Sequence, residues 1–359
     1  MSAHKDKASD KTRALFVGNV QVGGGAPVSV QSMCTEPTTE PERVLSQIKG
    51  LEELGCELVR VAIPHSKALD GFEQICAASV IPVIADIHFD YRLAIEASKR
   101  GAKALRINPG NIGSMDKVDA VIEAAAQANI PIRIGVNAGS LDPYYREKGG
   151  WSLPDKLVAS SQAFVEHFEK RGYEDIALSA KAHDVNTTVE TYQRLSRELP
   201  HIPLHIGVTE AGTLRQGTVK SALGLGLLLS QGIGDTMRVS LTADPKEEVK
   251  VAWDILASLS LRRRSPEIIS CPTCGRCQVD LVSLANEVTE HLSTLRADLS
   301  VAVMGCAVNG PGEAKDADLG VACGKGMGIL FSKGEMIKKV PEEEILSALY
   351  AEIEKRTIS

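Results

Sequence analysis

Aromatic residues are scarce, at 4% of the chain, which argues against an aromatic-rich β-sandwich and for a core of aliphatic strands. A basic excess is also missing. The net charge is −6, and no basic run with interleaved aromatics offsets it, which excludes a general nucleic-acid binder. The longest apolar run, around Ala222 to Leu229, is far too short to span a bilayer. Met1 to Thr12 is polar and charged and lacks the apolar stretch of an export signal, so a cytoplasmic location is expected. Neither G-x-x-x-x-G-K-[ST] nor a convincing G-x-G-x-x-G after a strand occurs, so no nucleotide-phosphate loop is offered.

What is present is a repeating unit. With 359 residues, 43% of them apolar, the chain is long enough for one large domain and a smaller one. A short aliphatic run, a polar residue, a loop and an amphipathic stretch of helical length recur along the first two thirds. The runs are Val28–Gln31, Leu58–Ala62, Pro82–Asp86, Ala104–Ile107, Pro131–Val136, Ile176–Ser179, Leu204–Val208 and Thr236–Leu241. Eight β–α units in a row give the count of a TIM (β/α)8 barrel. Thr39 to Gly55 reads as one of its helices, with a capping box at Thr39 and Glu42 and a terminal Gly55. Ala14–Val22, followed by Gly23-Gly24-Gly25, reads as an extra hairpin at the base of the barrel.

A break at Leu261-Arg262-Arg263-Arg264-Ser265-Pro266 divides the chain into residues 1–262 and a smaller α+β domain, 263–359. The second part should hold strands Glu267–Ser270, Leu299–Met304, Leu319–Ala322 and Gly328–Phe331. A long helix is expected over Val279–Ala297, and a closing helix from Pro341, with Glu342, Glu343 and Glu344 in its first turn.

Barrel chemistry sits at the carboxyl ends of the strands. Those ends carry Gln31 and Ser32, Arg60, Asp86 and His88, Arg106 and Asn108, Arg133 and Asn137, Lys181, His205 with Glu210, and Arg238 with Ser240. Arg60, Arg106, Arg133, Lys181 and Arg238 thus bring five cations to one rim. Any one of these arginines is as readily explained by a structural ion pair with Asp86 or Glu210. Two carboxylates cannot neutralise all five cations, and phosphate oxygens would. A small, multiply charged phosphate ester is the expected substrate class. His65, His167, His183, His201 and His291 have no ligand-like spacing and are expected to be surface or hydrogen-bonded side chains.

Five of the eight cysteines crowd the last quarter: Cys271, Cys274, Cys277, Cys306 and Cys323. In a reducing compartment they are not disulfides. The Cys271-Pro272-Thr273-Cys274 motif fits redox, zinc or cluster chemistry, and only one cysteine, Cys306, lies in the later glycine-rich segment, so a symmetric zinc ribbon is absent. Three thiolates plus a weaker oxygen ligand suit an iron–sulfur cluster with one iron open to substrate. Cys277 could stand in for Cys306, Cys323 could complete a four-thiolate set, and either could be a buried thiol.

At this point the chain resembles a known family, the 4-hydroxy-3-methylbut-2-enyl diphosphate synthases of the methylerythritol phosphate pathway. The resemblance runs over nearly the whole sequence. It is carried by Val30-Gln31-Ser32-Met33, Ala85-Asp86-Ile87-His88-Phe89, Arg106-Ile107-Asn108-Pro109-Gly110-Asn111, Gly207-Val208-Thr209-Glu210-Ala211-Gly212 and Gly232-Ile233-Gly234-Asp235-Thr236. In the last quarter it is carried by Ser270-Cys271-Pro272-Thr273-Cys274-Gly275-Arg276, Cys306-Ala307-Val308-Asn309-Gly310-Pro311-Gly312-Glu313 and Gly324-Lys325-Gly326.

The resemblance implies a TIM barrel joined to a [4Fe-4S] domain, in a homodimer where one subunit's cluster domain caps the other's barrel mouth. It implies cluster ligands Cys271, Cys274, Cys306 and Glu313, the last exchangeable. It implies diphosphate binding by Arg60, Arg106, Arg133, Lys181 and Arg238 with His88, Asn108, Asn137 and Ser240, and a role for Glu210 nearest the chemistry. The implied reaction is reductive ring opening and dehydration of 2-C-methyl-D-erythritol 2,4-cyclodiphosphate, with electrons from flavodoxin or ferredoxin. Cys277, Cys323 and the segment Cys34-Thr35-Glu36-Pro37 depart from the family's usual residues. The rival readings are a pterin-type methyl-transfer barrel, which leaves the cysteines unexplained, and a zinc-stabilised phosphate-binding scaffold.

Overall fold

The computed structural model describes residues 11–297, 299–306, 312 and 314–357, with only the backbone of Ser140. The chain divides into two compact units, one ending at Arg262 and the other beginning at Arg263.

The first unit opens with a hairpin, β1 (Leu15–Val17) and β2 (Val20–Val22). Eight parallel strands follow: β3 (Ser29–Met33), β4 (Leu58–Ala62), β5 (Val83–Ile87), β6 (Ala104–Ile107), β7 (Ile132–Asn137), β8 (Ile176–Lys181), β9 (His205–Ile206) and β10 (Thr236–Met237). Their spatial order is β8-β7-β6-β5-β4-β3-β10-β9. A parallel bridge from Leu178 to Leu204 brings the two ends together. This is the expected (β/α)8 barrel, with helices such as Leu153–Lys170 and Leu214–Leu229 between strands. The last two strands are shorter than their sequence runs, because the regular ladder covers only two residues in each.

Leu58, Ile84, Ala104 and Ala177 point into the base of the barrel and pack with Leu15, Val17 and Val22 of the hairpin. The hairpin is therefore an apolar floor. Gly23 turns the chain there with φ +78°, and an added Cβ would meet the Arg13 carbonyl, which only glycine avoids. Two positions further along the same four strands stand Arg60, Asp86, Arg106 and Ser179, and Lys181 ends β8. The interior grades from dry to ionic along one axis.

Helix starts are fixed mostly by side-chain caps, as at Asp90, Asp184 and Ser152, the last in a reciprocal box with Asp155. The box expected at Thr39 and Glu42 does not form. Pro41 takes the first helical position, which moves the N-cap to Glu40, and the helix runs Pro41–Glu53.

The second unit is a five-stranded sheet in the order β11 (Glu267–Ser270), β12 (Ser300–Met304), β13 (Leu319–Gly324), β14 (Met327–Ser332), β15 (Glu335–Pro341). The first three strands are parallel and the last two antiparallel. Helices Leu281–Ser293 and Ile345–Thr357 accompany it. β15 is an addition to the expected set. Its Lys338 and Lys339 hid a strand that lies on the sheet edge, where lysine and a terminal proline are tolerated. Pro341 consequently closes β15 rather than opening the final helix, and Glu342–Glu344 form a short helical turn before it.

If the hairpin is a packed floor, Leu15→Ala should destabilise the protein by about 2–4 kcal/mol in a denaturant titration, the range for a buried leucine. A loss under about 1 kcal/mol would mean that the hairpin rests loosely on the barrel.

Candidate functional site at the barrel mouth and the cysteine edge

The parallel register sets rim side chains beside one another. Met33 lies opposite Arg60, Asp86 opposite Arg106, Arg106 opposite Arg133, and Asn137 opposite Lys181. The centre of the group is Asp86, whose side chain is fully buried. Its carboxylate stands 3.5 Å from Arg60 Nε, 3.3 Å from Arg106 Nη1 and 3.1 Å from His88 Nε2. The two arginines and His88 hold it far below the usual carboxylate range, against a desolvation penalty that acts the other way.

Arg238 is held by Glu248, a buried carboxylate on the helix Pro245–Ser258, through Nε at 3.2 Å and Nη2 at 3.1 Å. Glu248 is the second rim carboxylate. Glu210, which sequence reading placed as a pairing candidate, is exposed and makes no hydrogen bond or ion pair among the described residues. Its backbone instead takes φ +52°, an uncommon conformation for a non-glycine residue that costs on the order of 1 kcal/mol.

Arg133 donates from Nη1 to Gln31 Oε1 at 2.6 Å, while its Nε and Nη2 find no hydrogen-bond partner among the described residues. Lys181 forms no hydrogen bond or ion pair among them either. Burial first, then the neighbouring cations, lowers the pKa of both groups well below the ordinary value. His205, fully buried on β9, is pushed down for the same reasons, and its Nε2 is without a partner among the described residues. Asn137, with its amide oxygen turned to the mouth, accepts from Arg106 Nη2 at 3.2 Å. Asn108 is buried and caps the turn Pro109–Ile112 by accepting from Gly110 N, and Ser240 is half-buried on the loop after Arg238.

Two glycines create the room. A Cβ at Gly135 would lie 2.7 Å from Arg106 Nε, and one at Gly207 would lie 3.0 Å from Lys181 Nζ. Glycine inside a strand is a sequence signal of such close approach, and it was there to be read. Gln31 and His205 were expected at the strand ends but not among the phosphate-binding residues, and Glu248 was not singled out. Burial at the centre of a barrel is what singles them out.

Cys271 and Cys306 follow the carboxyl ends of β11 and β12, which are parallel neighbours. The Gly305 amide donates to Cys271 Sγ at 3.3 Å, a backbone bond of the kind that steadies a thiolate ligand. Cys274 is exposed and Cys306 half-buried, and no cysteine is in a disulfide. Cys277 Sγ lies 3.3 Å from the Val279 carbonyl, to which it donates. A Cβ on Gly305 would sit 2.7 Å from that sulfur. Cys323 is buried in the core of the unit, and burial pushes its pKa up to about 12. Glu313 lies outside the described residues. Cys271, Cys274 and Cys306 have the donor chemistry of a sulfur-ligated cluster, although among the described residues no group of three His, Cys, Asp or Glu side chains is gathered as a metal site.

Because burial and the neighbouring cations lower the pKa of Lys181, the unfolded chain binds more protons than the folded one at pH values between the folded pKa and the ordinary lysine value. Stability of the ligand-free protein should therefore rise with pH below the ordinary lysine value, and the slope should be shallower in Lys181→Met. Thermal denaturation across this range checks the sign. Lys181→Met should also raise stability at neutral pH by about 1–3 kcal/mol, since a buried amino group without a hydrogen-bond partner among the described residues gives way to an apolar chain of like length.

Comparison with known proteins finds matches for both parts of the chain. Residues 12–253 match the GcpE TIM-barrel domain and residues 267–355 the GcpE protein C-terminal domain. A Geobacter sulfurreducens protein named 4-hydroxy-3-methylbut-2-en-1-yl diphosphate synthase (flavodoxin) is 52% identical over 345 residues, covering 96% of this chain and 98% of that one. A Bacillus cereus protein of the same name is 51% identical over 344 residues, covering 96% and 93%. Among solved structures, a Coxiella burnetii dihydropteroate synthase in complex with pteroic acid superposes with a TM-score of 0.51 at 12% identity, covering 70% of this chain and all of that one. That likeness concerns the barrel fold alone. With both of its parts matched, the chain belongs to the GcpE family.

Proposed function

We propose that the chain catalyses the reductive ring opening and dehydration of 2-C-methyl-D-erythritol 2,4-cyclodiphosphate to 4-hydroxy-3-methylbut-2-enyl diphosphate. The observation that carries the reading is the barrel mouth, where five cations face two buried carboxylates, Asp86 and Glu248. A diphosphate supplies the missing negative charge. The relatives' name specifies the product diphosphate, which supports the same reading.

In this reading Arg60, Arg106, Arg133, Lys181 and Arg238 hold the phosphate oxygens, and His88, Asn108, Asn137 and Ser240 orient them. The unpaired N–H groups of Arg133 have a natural acceptor there. Two electrons and one proton enter, the proton going to the departing hydroxyl. The bond between the tertiary carbon and its ring oxygen breaks, and the neighbouring hydroxyl leaves as water. As the ring opens, its leaving oxygen gains negative charge. The cations therefore stabilise the opening state more than the closed ring, which is how binding energy becomes rate. Glu210, held at positive φ beside the mouth, orients the departing hydroxyl or supplies its proton.

Cys271, Cys274 and Cys306, with Glu313, would hold a [4Fe-4S] cluster. Such a cluster passes electrons singly and acts as a Lewis acid at an open iron. The residues through 262 then form the substrate domain and those from 263 the cluster domain. Flavodoxin, which the relatives' names specify, or ferredoxin is the electron donor, and the enzyme works as a cytoplasmic homodimer. Among the described residues no helix is long and apolar enough to cross a membrane.

Anaerobically purified protein should contain about four irons and four sulfides per chain, with an EPR signal on reduction. It should turn over the cyclic diphosphate with reduced flavodoxin. Stoichiometric zinc without sulfide, persisting through anaerobic reconstitution, would sink the redox reading and leave a phosphate-binding scaffold. Glu313→Ala should keep part of the cluster while losing most turnover, and full activity in that variant would remove Glu313 from the ligand set.

A further inference from the structure

We infer that Glu248 is the positioning residue of the anion cradle, fixing Arg238 across the seam where the first and last barrel strands meet. The inference rests on the diphosphate reading of the mouth and deepens it. β10 pairs with β3 only at Thr236↔Ser29 and Met237↔Val30. The ladder stops one residue before Arg238. At the level of the mouth, backbone pairing with β3 no longer sets where Arg238 stands.

Glu248 takes over at that level. From the first turn of the helix Pro245–Ser258 its carboxylate accepts from Ser32 Oγ at 3.1 Å, at the end of β3. It accepts from Arg238 Nε at 3.2 Å and Nη2 at 3.1 Å, just past β10, and from Leu241 N at 3.0 Å, on the rim loop that carries Ser240. One side chain, 3% exposed, thus joins three segments that the sheet leaves unjoined. Both oxygens are used.

The fork also gives Arg238 a direction. With Nε and Nη2 engaged, Nη1 is left toward Met33 Sδ at 3.7 Å, the same sulfur that accepts from Arg60 Nη2. Arg60 and Arg238 therefore share one thioether, although like charges repel. Asp86 restrains the first and Glu248 the second. Losing either restraint lets one arginine swing away, and two cations spaced for a diphosphate no longer are.

A residue that merely ties the helix to the sheet would affect stability alone. A double-mutant cycle separates the two roles, using the full-length protein and inorganic pyrophosphate as the calorimetric probe. Glu248→Gln and Arg238→Lys should each weaken binding about tenfold, and the double variant should be no weaker than either single, because both remove one interaction. In turnover of the cyclic diphosphate, Glu248→Gln should raise KM more than it lowers kcat. Unchanged pyrophosphate affinity in Glu248→Gln, or losses that multiply in the double variant, would overturn the inference. Should Glu248→Gln fail to fold, Ser32→Ala removes one anchor of the carboxylate and leaves Arg238 untouched. It is expected to weaken binding roughly twofold to fivefold, the effect of one lost charge-assisted bond partly replaced by water. No weakening there would equally count against Glu248. A wild-type protein that ignores pyrophosphate would overturn the cradle reading itself, and this one with it.

Discussion

Asp86 sits without exposed surface between Arg60, Arg106 and His88, and the rest of the mouth is arranged around that attraction. Two unit charges 4 Å apart interact by about 4 kcal/mol in a medium of intermediate polarity, so the guanidinium groups at this rim repel one another by amounts comparable with a protein's whole stability. One carboxylate at the centre and a second at the seam make the gathering tolerable without cancelling it. The residue of uncancelled positive charge falls on Arg133 and Lys181, the two cations that neither carboxylate touches.

Holding those charges out of water is a burden that the remainder of the barrel carries. Beneath the cations lies a polar layer with Gln31, His205 and Thr236, and beneath that the aliphatic floor supplied by four strands and the hairpin. A lysine lying over Gly207 and an arginine lying against Gly135 have no slack in which to move, so the cations are presented at set places rather than on flexible stems. Preorganisation of this sort is what electrostatic catalysis requires, and it explains why so much of the interior is given to charge.

Much of this could be read from the residues in order. Eight aliphatic runs announced the barrel, and the arginines and lysine within or just after them announced the cations, because strand ends are where a parallel barrel displays its side chains. What stayed hidden depended on the third dimension. Glu248 lies on a helix after the last strand, and nothing in its local sequence says that it turns back over the seam to reach Ser32. His205 looks like any histidine at a strand end until its neighbours are known. β15 was obscured by its own lysines, which suit an edge and disguise a strand. Thr39 and Glu42 had the spacing of a cap, and a proline two residues into the motif overrode them. For the cysteines, spacing alone left Cys277 and Cys323 as ligand candidates, and only a hydrogen bond to a carbonyl and a place in the core set them apart.

The apolar floor has one more consequence. A barrel stoppered at its base by Leu15, Val17 and Val22 is a blind vessel, with a single doorway for arrival and departure. On the proposed chemistry, the molecule that leaves carries more negative charge than the one that entered, and it leaves past the same cations. The doorway must clear before the next molecule can pass. The strength of the cations' grip is thus bounded from above as well as from below, since a firmer hold on the diphosphate would slow its exit.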